Sequence, residues 1–250
     1  MTLAAAKPNT FKDIDDLHDG PRPNEAFEIL KEKYSNGDHS IEVLWRMARY
    51  CYKTADTLAT DKEKLHILKE GQKFAMEAYN DDYTNLNAAK WAAFISGKIK
   101  DYLNPWSRAR ENERYKAYLN RAINIQPEVY LLYLRGKWNY EASNLTFWQR
   151  QSYILLFTHP PVAIWQTAID DFEEARKMND EFLENKAYLG LAYHKRRIEY
   201  WAKQHLRDAL MMSGSTEEKR KLKEEVENVY REFYQHPDYG SPVAVAMSMV

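Results

Sequence analysis

The stretch from Glu181 to Gly214 constrains the fold of this chain more than any other part of the sequence. Its first half places Gly190 on one face of a helix. Its second half places small and apolar residues at i, i+4 and i+7 on another helical face: Ala202, Leu206 and Ala209. The pattern predicts two helices that cross closely. Because one such hairpin cannot bury its apolar faces alone, we expect further copies along the chain.

The spacing of small residues recurs elsewhere, for example at Gly71, Ala75 and Ala78. A unit of about 34 residues, made of a helix, a short turn and a second helix, is typical of a tetratricopeptide repeat. The sequence therefore predicts an all-α fold, a tetratricopeptide-like helical-hairpin superhelix. We predict helical pairs at about 40–80, 84–126, 128–179 and 181–213, and a capping helix at 215–234.

The parts of the chain outside this pattern also lead to predictions. We expect residues 1–23, which are polar and end in Gly-Pro-Arg-Pro, to form a flexible leader. Residues 24–234 are predicted to form a single helical-repeat domain, with a helical insertion in the third pair between residues 144 and 161. Residues 235–250 are predicted to be a disordered tail.

The composition excludes several classes of protein. The chain of 250 residues contains 8 glycines and 9 prolines and few runs of β-branched residues, which argues against a sheet. Cys51 is the only cysteine, so no internal disulfide is possible. No stretch of about 18 apolar residues occurs, and we expect no transmembrane segment and no cleaved secretory signal.

No arrangement of residues in the sequence predicts catalysis. The seven histidines form neither His-Glu-x-x-His nor another compact metal-binding pattern, and no nucleophile elbow, phosphate loop or dinucleotide fingerprint occurs. A net charge of −1 without a recognised reading motif argues against nucleic acid as a partner. We therefore expect no catalytic residues, no metal, no cofactor and no enzymatic activity.

Several sequence segments resemble the regulator of microtubule dynamics family: Lys90-Trp91, Phe147-Trp148-Gln149-Arg150, Leu156–Pro161 and the helix from Ala168 to Ala175. The similarity covers roughly residues 40–232. It implies a helical-repeat protein of the cytoplasm and cytoskeleton that associates with microtubules (tubulin), regulates their dynamics and acts at the spindle and spindle poles. Some family members are also linked to lipid binding at organelle contacts.

A repeat superhelix offers a concave groove, and the sequence suggests which residues line it. Basic and aromatic side chains there would hold an acidic peptide, with arginine forks contacting carboxylates. The alternative is that these side chains are simply the solvated face of the helices. The predicted partner-binding residues are Arg46, Tyr50, Lys53, Arg135, Lys137, Tyr188, His194, Lys195, Arg196 and Arg197.

Two other functions remain open at the level of sequence. The aromatic segment Phe147–Phe157 could capture phospholipid beside the groove, which would make the chain a lipid-binding or lipid-transfer domain. The groove could instead make it a general peptide-binding scaffold. An apolar closed cavity would favour lipid, and an open basic surface would favour acidic peptides.

Overall fold

The computed structural model describes residues 10–147, 150, 151 and 165–235, without the side chains of 234 and 235. Helices account for all regular secondary structure in these residues. The contacts divide the chain into two compact units, Met1–Gln126 and Pro127–Val250. This division differs from the single domain predicted over 24–234, and each unit is described by itself.

The first unit contains six α-helices among its described residues: α1 (Phe11–Asp19), α2 (Pro23–Ser35), α3 (Ile41–Thr54), α4 (Asp61–Asp81), α5 (Leu86–Ile99) and α6 (Pro105–Ile125). They pack as the hairpins α1–α2, α3–α4 and α5–α6, and α4 also packs on α5. Side-chain caps explain several helix starts. Thr60 and Glu63 form a capping box at α4, and Asn104 precedes Pro105 at the start of α6.

Helix α1 corrects the prediction of a flexible leader over 1–23 for the described part of that range, which begins at residue 10. Thr10 accepts a hydrogen bond from the Asp13 backbone N–H, and the Asp13 carboxylate accepts one from the Thr10 backbone, which completes a capping box. Ile14 is fully buried and His18 nearly so. The polar composition hid a short amphipathic helix, whose apolar residues Phe11, Ile14 and Leu17 lie in or against the hydrophobic core of the first unit.

The second unit contains five α-helices in the part that the structure describes: α7 (Val129–Ser143), α8 (Trp165–Met178), α9 (Leu183–Lys195), α10 (Glu199–Met211) and α11 (Glu217–Gln235). Helices α7 and α8 pack against each other, as do α9 and α10, and α11 packs on both α9 and α10. Most of the predicted insertion at 144–161 and nearly all of the predicted tail lie outside the described residues.

Close helix crossings within the hairpins depend on glycine. A Cβ atom added to Gly190 would lie 2.7 Å from Leu206 Cγ and 2.9 Å from the Leu206 backbone nitrogen. At Gly71 the added atom would lie 2.7 Å from Cys51 Cβ, and at Gly136 it would overlap the Phe172 ring. These distances confirm that small side chains let paired helices approach, and with the all-helical content they confirm the helical-repeat fold.

The sole cysteine lies at the helix crossing of Gly71. Cys51 is fully buried, and burial raises the pKa of its thiol to about 12. The thiol is therefore protonated and inaccessible in the folded chain. Among the described residues, no helix is both long enough and apolar enough to cross a bilayer.

We predict that Gly190→Ala destabilises the second unit by about 1–3 kcal/mol, because the new methyl group would overlap the backbone of α10. Denaturant unfolding measures the change. Alanine is the better helix former by about 0.5–1 kcal/mol, so a gain in stability would contradict the close crossing.

Candidate partner-binding surfaces

The predicted residues on α3 contact side chains of α1 and α2 in the structure. Arg46 is only 6% exposed, and its guanidinium binds the Asp15 carboxylate through two hydrogen bonds, Nε–Oδ1 at 2.9 Å and Nη2–Oδ2 at 2.7 Å. The guanidinium also lies 4.5 Å from the Phe11 ring centroid. Arg46 therefore holds α1 against α3, which corrects its assignment to a free surface.

Tyr50 and Lys53 continue this internal interface. Tyr50 stacks on Phe27, and its hydroxyl donates a hydrogen bond of 2.8 Å to Asn24 Oδ1. Lys53 Nζ lies 2.9 Å from Asp19 Oδ1, and this hydrogen bond is the main cause of the lowered pKa of the Asp19 carboxyl. Both side chains keep some exposure, but their polar ends already have partners.

In the second unit, Arg135 also has a structural role. Its Nε and Nη2 atoms lie 3.0 Å and 2.6 Å from Oδ1 of the buried Asp171. Asn139 donates a further hydrogen bond of 3.1 Å to the other carboxylate oxygen. The network joins α7 to α8, and because it satisfies a buried carboxylate, Arg135 is not free to bind a partner carboxylate.

Lys137 and Tyr188 contact each other in the second unit. The Lys137 ammonium lies 5.3 Å from the Tyr188 ring centroid, and Nζ lies 3.9 Å from Glu141 Oε1. Tyr188 packs edge-to-face on Tyr140, and burial raises the pKa of its hydroxyl. This pair is partly accessible.

His194 contacts the capping helix. Its Nδ1 lies 3.6 Å from Glu199 Oε2, its Nε2 lies 3.5 Å from Glu232 Oε2, and its ring meets Phe233 edge-on. Burial raises the pKa of the Glu199 carboxyl. His194 therefore connects α9 to α10 and α11, which corrects its placement on an open surface.

The remaining predicted residues are the last residue of α9 and the two turn residues that follow it, called here the basic turn: Lys195, Arg196 and Arg197. All are exposed, and none forms an ion pair with any residue that the structure describes. Arg197 has φ of 58°, the left-handed region that glycine usually fills at this position. Its N–H donates to His194 O, and the next N–H donates to Tyr193 O, which completes a Schellman motif.

Two aromatic residues beside the basic turn were not predicted. Tyr200 and Trp201 are 55% and 45% exposed at the start of α10, and their rings meet edge-to-face at 5.1 Å. Trp201 also stacks on His205. Their signal was present in the sequence, because both lie off the apolar stripe of α10, which contains Ala202, Leu206 and Ala209.

The basic turn is thus the part of the predicted set that combines high exposure and charge with the absence of an ion-pair partner among the described residues. It can attract carboxylates, and the adjacent rings can contact apolar groups between them. Within the described ranges, no group of three or more potential metal ligands is assembled. The lipid alternative concerned a segment that is largely outside the described residues, so it stays a prediction.

Comparison with known proteins identifies relatives. The family model "Regulator of microtubule dynamics protein 1-3" matches residues 10–234, and so includes helix α1. Regulator of microtubule dynamics protein 1 of Caenorhabditis elegans is 26% identical over 208 residues, covering 83% of this chain and 92% of the relative. Regulator of microtubule dynamics protein 3 of Xenopus laevis is 32% identical over 173 residues, covering 67% of this chain and 37% of the relative.

The fold also has a counterpart among solved structures. A thermophilic TPR protein of Thermus thermophilus aligns with a TM-score of 0.53 and 14% identity, over 87% of this chain and 97% of that one. The likeness supports the tetratricopeptide-like arrangement of helices.

We predict that Asp15→Asn destabilises the protein by about 2–3 kcal/mol, because it removes the carboxylate of α1 that Arg46 and Arg49 share and leaves Arg46 only the Glu42 carboxylate of its own helix. The neighbouring Asp16→Asn is the control, since Asp16 is exposed and its one ion pair with a described residue is that with Lys12, at 2.9 Å. Its cost should not exceed about 1 kcal/mol. Equal unfolding midpoints for the two variants would contradict the role of Asp15.

We also predict a pH dependence of stability from His18. Burial, then the charges of Arg49 and Lys53, lowers the pKa of His18 to about 4, from 6.5. Between these values the unfolded chain binds a proton that the folded chain does not, so the free energy of unfolding decreases as the pH falls from 6.5 towards 4. In His18→Leu this decrease should be smaller, as denaturant unfolding at several pH values would measure. An unchanged slope would contradict the assignment.

Proposed function

The chain belongs to the regulator of microtubule dynamics family, and from that premise we propose that it is a non-catalytic, microtubule-associated protein. Its helical repeats bind partners and regulate microtubule dynamics. We place it in the cytoplasm and on the cytoskeleton, at the spindle and spindle poles. The basic turn is the contact that we assign to the acidic surface of tubulin.

The observation that supports this proposal is that the cations of the basic turn form no ion pair with any described residue. Elsewhere in the described residues many cations are already paired: Arg46 with Asp15, Lys53 with Asp19 and Arg135 with Asp171. Lys195, Arg196 and Arg197 are exposed and have no ion-pair partner among the described residues, so their cationic groups can contact an external anion. Acidic tails on the microtubule surface supply such anions, and contacts of this type should weaken as salt screens the charges.

The backbone at Arg197 gives a second argument. A left-handed conformation costs a residue with a Cβ atom roughly 1–2 kcal/mol, whereas glycine adopts it without this cost. Strained positions of this kind are concentrated at functional sites. Arg197 has a cationic side chain at a backbone position that favours glycine. This is consistent with a contact between that side chain and a partner.

We predict that Lys195→Glu, Arg196→Glu and Arg197→Glu together reduce binding to microtubules by about tenfold or more, because three attractive contacts become repulsive. Cosedimentation of the purified protein with polymerised tubulin, at low and high salt, measures this. The wild-type protein should pellet with microtubules, and less of it should do so at high salt.

The matched control reverses three exposed cations that already have carboxylate partners nearby in the chain: Lys12, Arg22 and Lys31. This variant has the same change in net charge and should bind nearly as the wild type does. If both variants lost the same amount of microtubule binding, the loss would be due to the change in net charge and not to the basic turn. Unchanged pelleting of the first variant would remove the basic turn from the contact, and a wild-type protein that does not pellet would refute the function.

A further inference from the structure

Helix α4 carries a row of basic side chains that no other observation has explained. Lys62, His66, Lys69 and Lys73 are exposed and follow one another at i, i+4, i+7 and i+11. With 3.6 residues per turn, they fall within about 60° of one another around the helix axis. We call these residues the lysine face.

The lysine face has no internal counterions in the part of the chain that the structure describes. None of its members forms an ion pair or hydrogen bond with a described residue. The nearest carboxylates on α4 are those of Glu63, Glu70 and Glu77; Glu63 is engaged in the capping box with Thr60, and Glu70 and Glu77 are half-buried at the border of the face. Glu77 is already engaged, by His39 at 2.9 Å and by the Tyr34 hydroxyl at 3.3 Å. The ammonium groups of Lys62, Lys69 and Lys73 are therefore held along one side of the helix without an ion-pair partner among the described residues.

The rest of α4 shows why this face is not an apolar docking surface. The apolar side of the helix, which includes Leu68, Gly71, Phe74, Ala75 and Ala78, is buried. No large exposed hydrophobic residue lies on α4, all of which the structure describes. A helix that binds in the plane of a membrane needs an accessible apolar face, and single-stranded nucleic acid needs aromatic platforms for its bases. The lysine face offers charge alone.

We propose that the lysine face binds an acidic peptide segment in extended conformation, with carboxylates at alternate positions. The spacing supports this occupant. Lys62 and His66 are about 6 Å apart along the helix axis, as are Lys69 and Lys73, at a rise of about 1.5 Å per residue. Alternate side chains of an extended strand are about 6.6 Å apart and point the same way. About five or six peptide residues span the whole face, which is about 16.5 Å long.

This site goes beyond the proposed function and does not depend on it. The lysine face belongs to the first unit and the basic turn to the second. Its test needs a peptide and no microtubules, so it can succeed or fail whether or not the protein pellets with polymerised tubulin.

The experiment measures fluorescence anisotropy of a labelled peptide of alternating glutamate and serine, titrated with the full chain. A peptide with glutamine in place of glutamate is the ligand control. The protein carries Lys195→Glu, Arg196→Glu and Arg197→Glu throughout, so that the basic turn contributes nothing. We expect binding of the glutamate peptide only, weakened by salt.

Adding Lys62→Gln, Lys69→Gln and Lys73→Gln should reduce the affinity about tenfold or more, by loss of three charge contacts. The matched variant Lys12→Gln, Arg22→Gln and Lys31→Gln removes three positive charges from the same unit, at cations that already form ion pairs. It should change the affinity for the glutamate peptide little. Circular dichroism checks that both remain folded.

Equal affinities of the two variants would overturn the proposal, as would equal binding of the glutamine peptide. Polyuridylate or phosphatidylserine vesicles that bind more tightly than the peptide, and lose that binding in the Lys62, Lys69 and Lys73 variant, would also overturn it and assign the face to nucleic acid or to a membrane.

Discussion

The close crossing of paired helices at glycine is the constraint on which both units depend. Gly71 lets α4 approach Cys51, Gly136 lets α7 approach Phe172, and Gly190 lets α9 approach Leu206. Each contact leaves no space for a methyl group. With glycine at this position the two helices of a hairpin come close enough to pack their apolar faces together. Because the core is formed on the crossing faces, charged residues can occupy the outer faces of the helices without disturbing it.

The hairpins could be predicted because their signal is local: small and apolar residues recur at helical spacing within one segment, as at Gly190 and Leu206. Helix α1 could not be predicted in the same way. Its stability depends on Asp15 meeting Arg46 and on Ile14 filling the core beside α2 and α3, contacts between residues far apart in the chain. The family match from residue 10 agrees with the structure on this point.

The candidate site was predictable only in part, because a sequence shows where cations lie but not which of them are neutralised. Arg46, Arg135 and Lys53 appeared equivalent to the basic turn, yet each has a carboxylate partner more than 30 residues away in the chain. The lysine face of α4 was overlooked because its residues are dispersed among acidic neighbours in sequence and are brought into one row only by the helix. The basic turn and the lysine face differ from the other basic residues of the predicted site because their cations have no ion-pair partner among the described residues.

The burial of Cys51 has a practical consequence for work on this protein. The natural thiol is fully enclosed and remains protonated, so maleimide reagents should leave the native chain unmodified. A cysteine introduced on an outer helix face would then be the single reactive position, and a fluorophore could be attached there with the native residue still in place at its helix crossing.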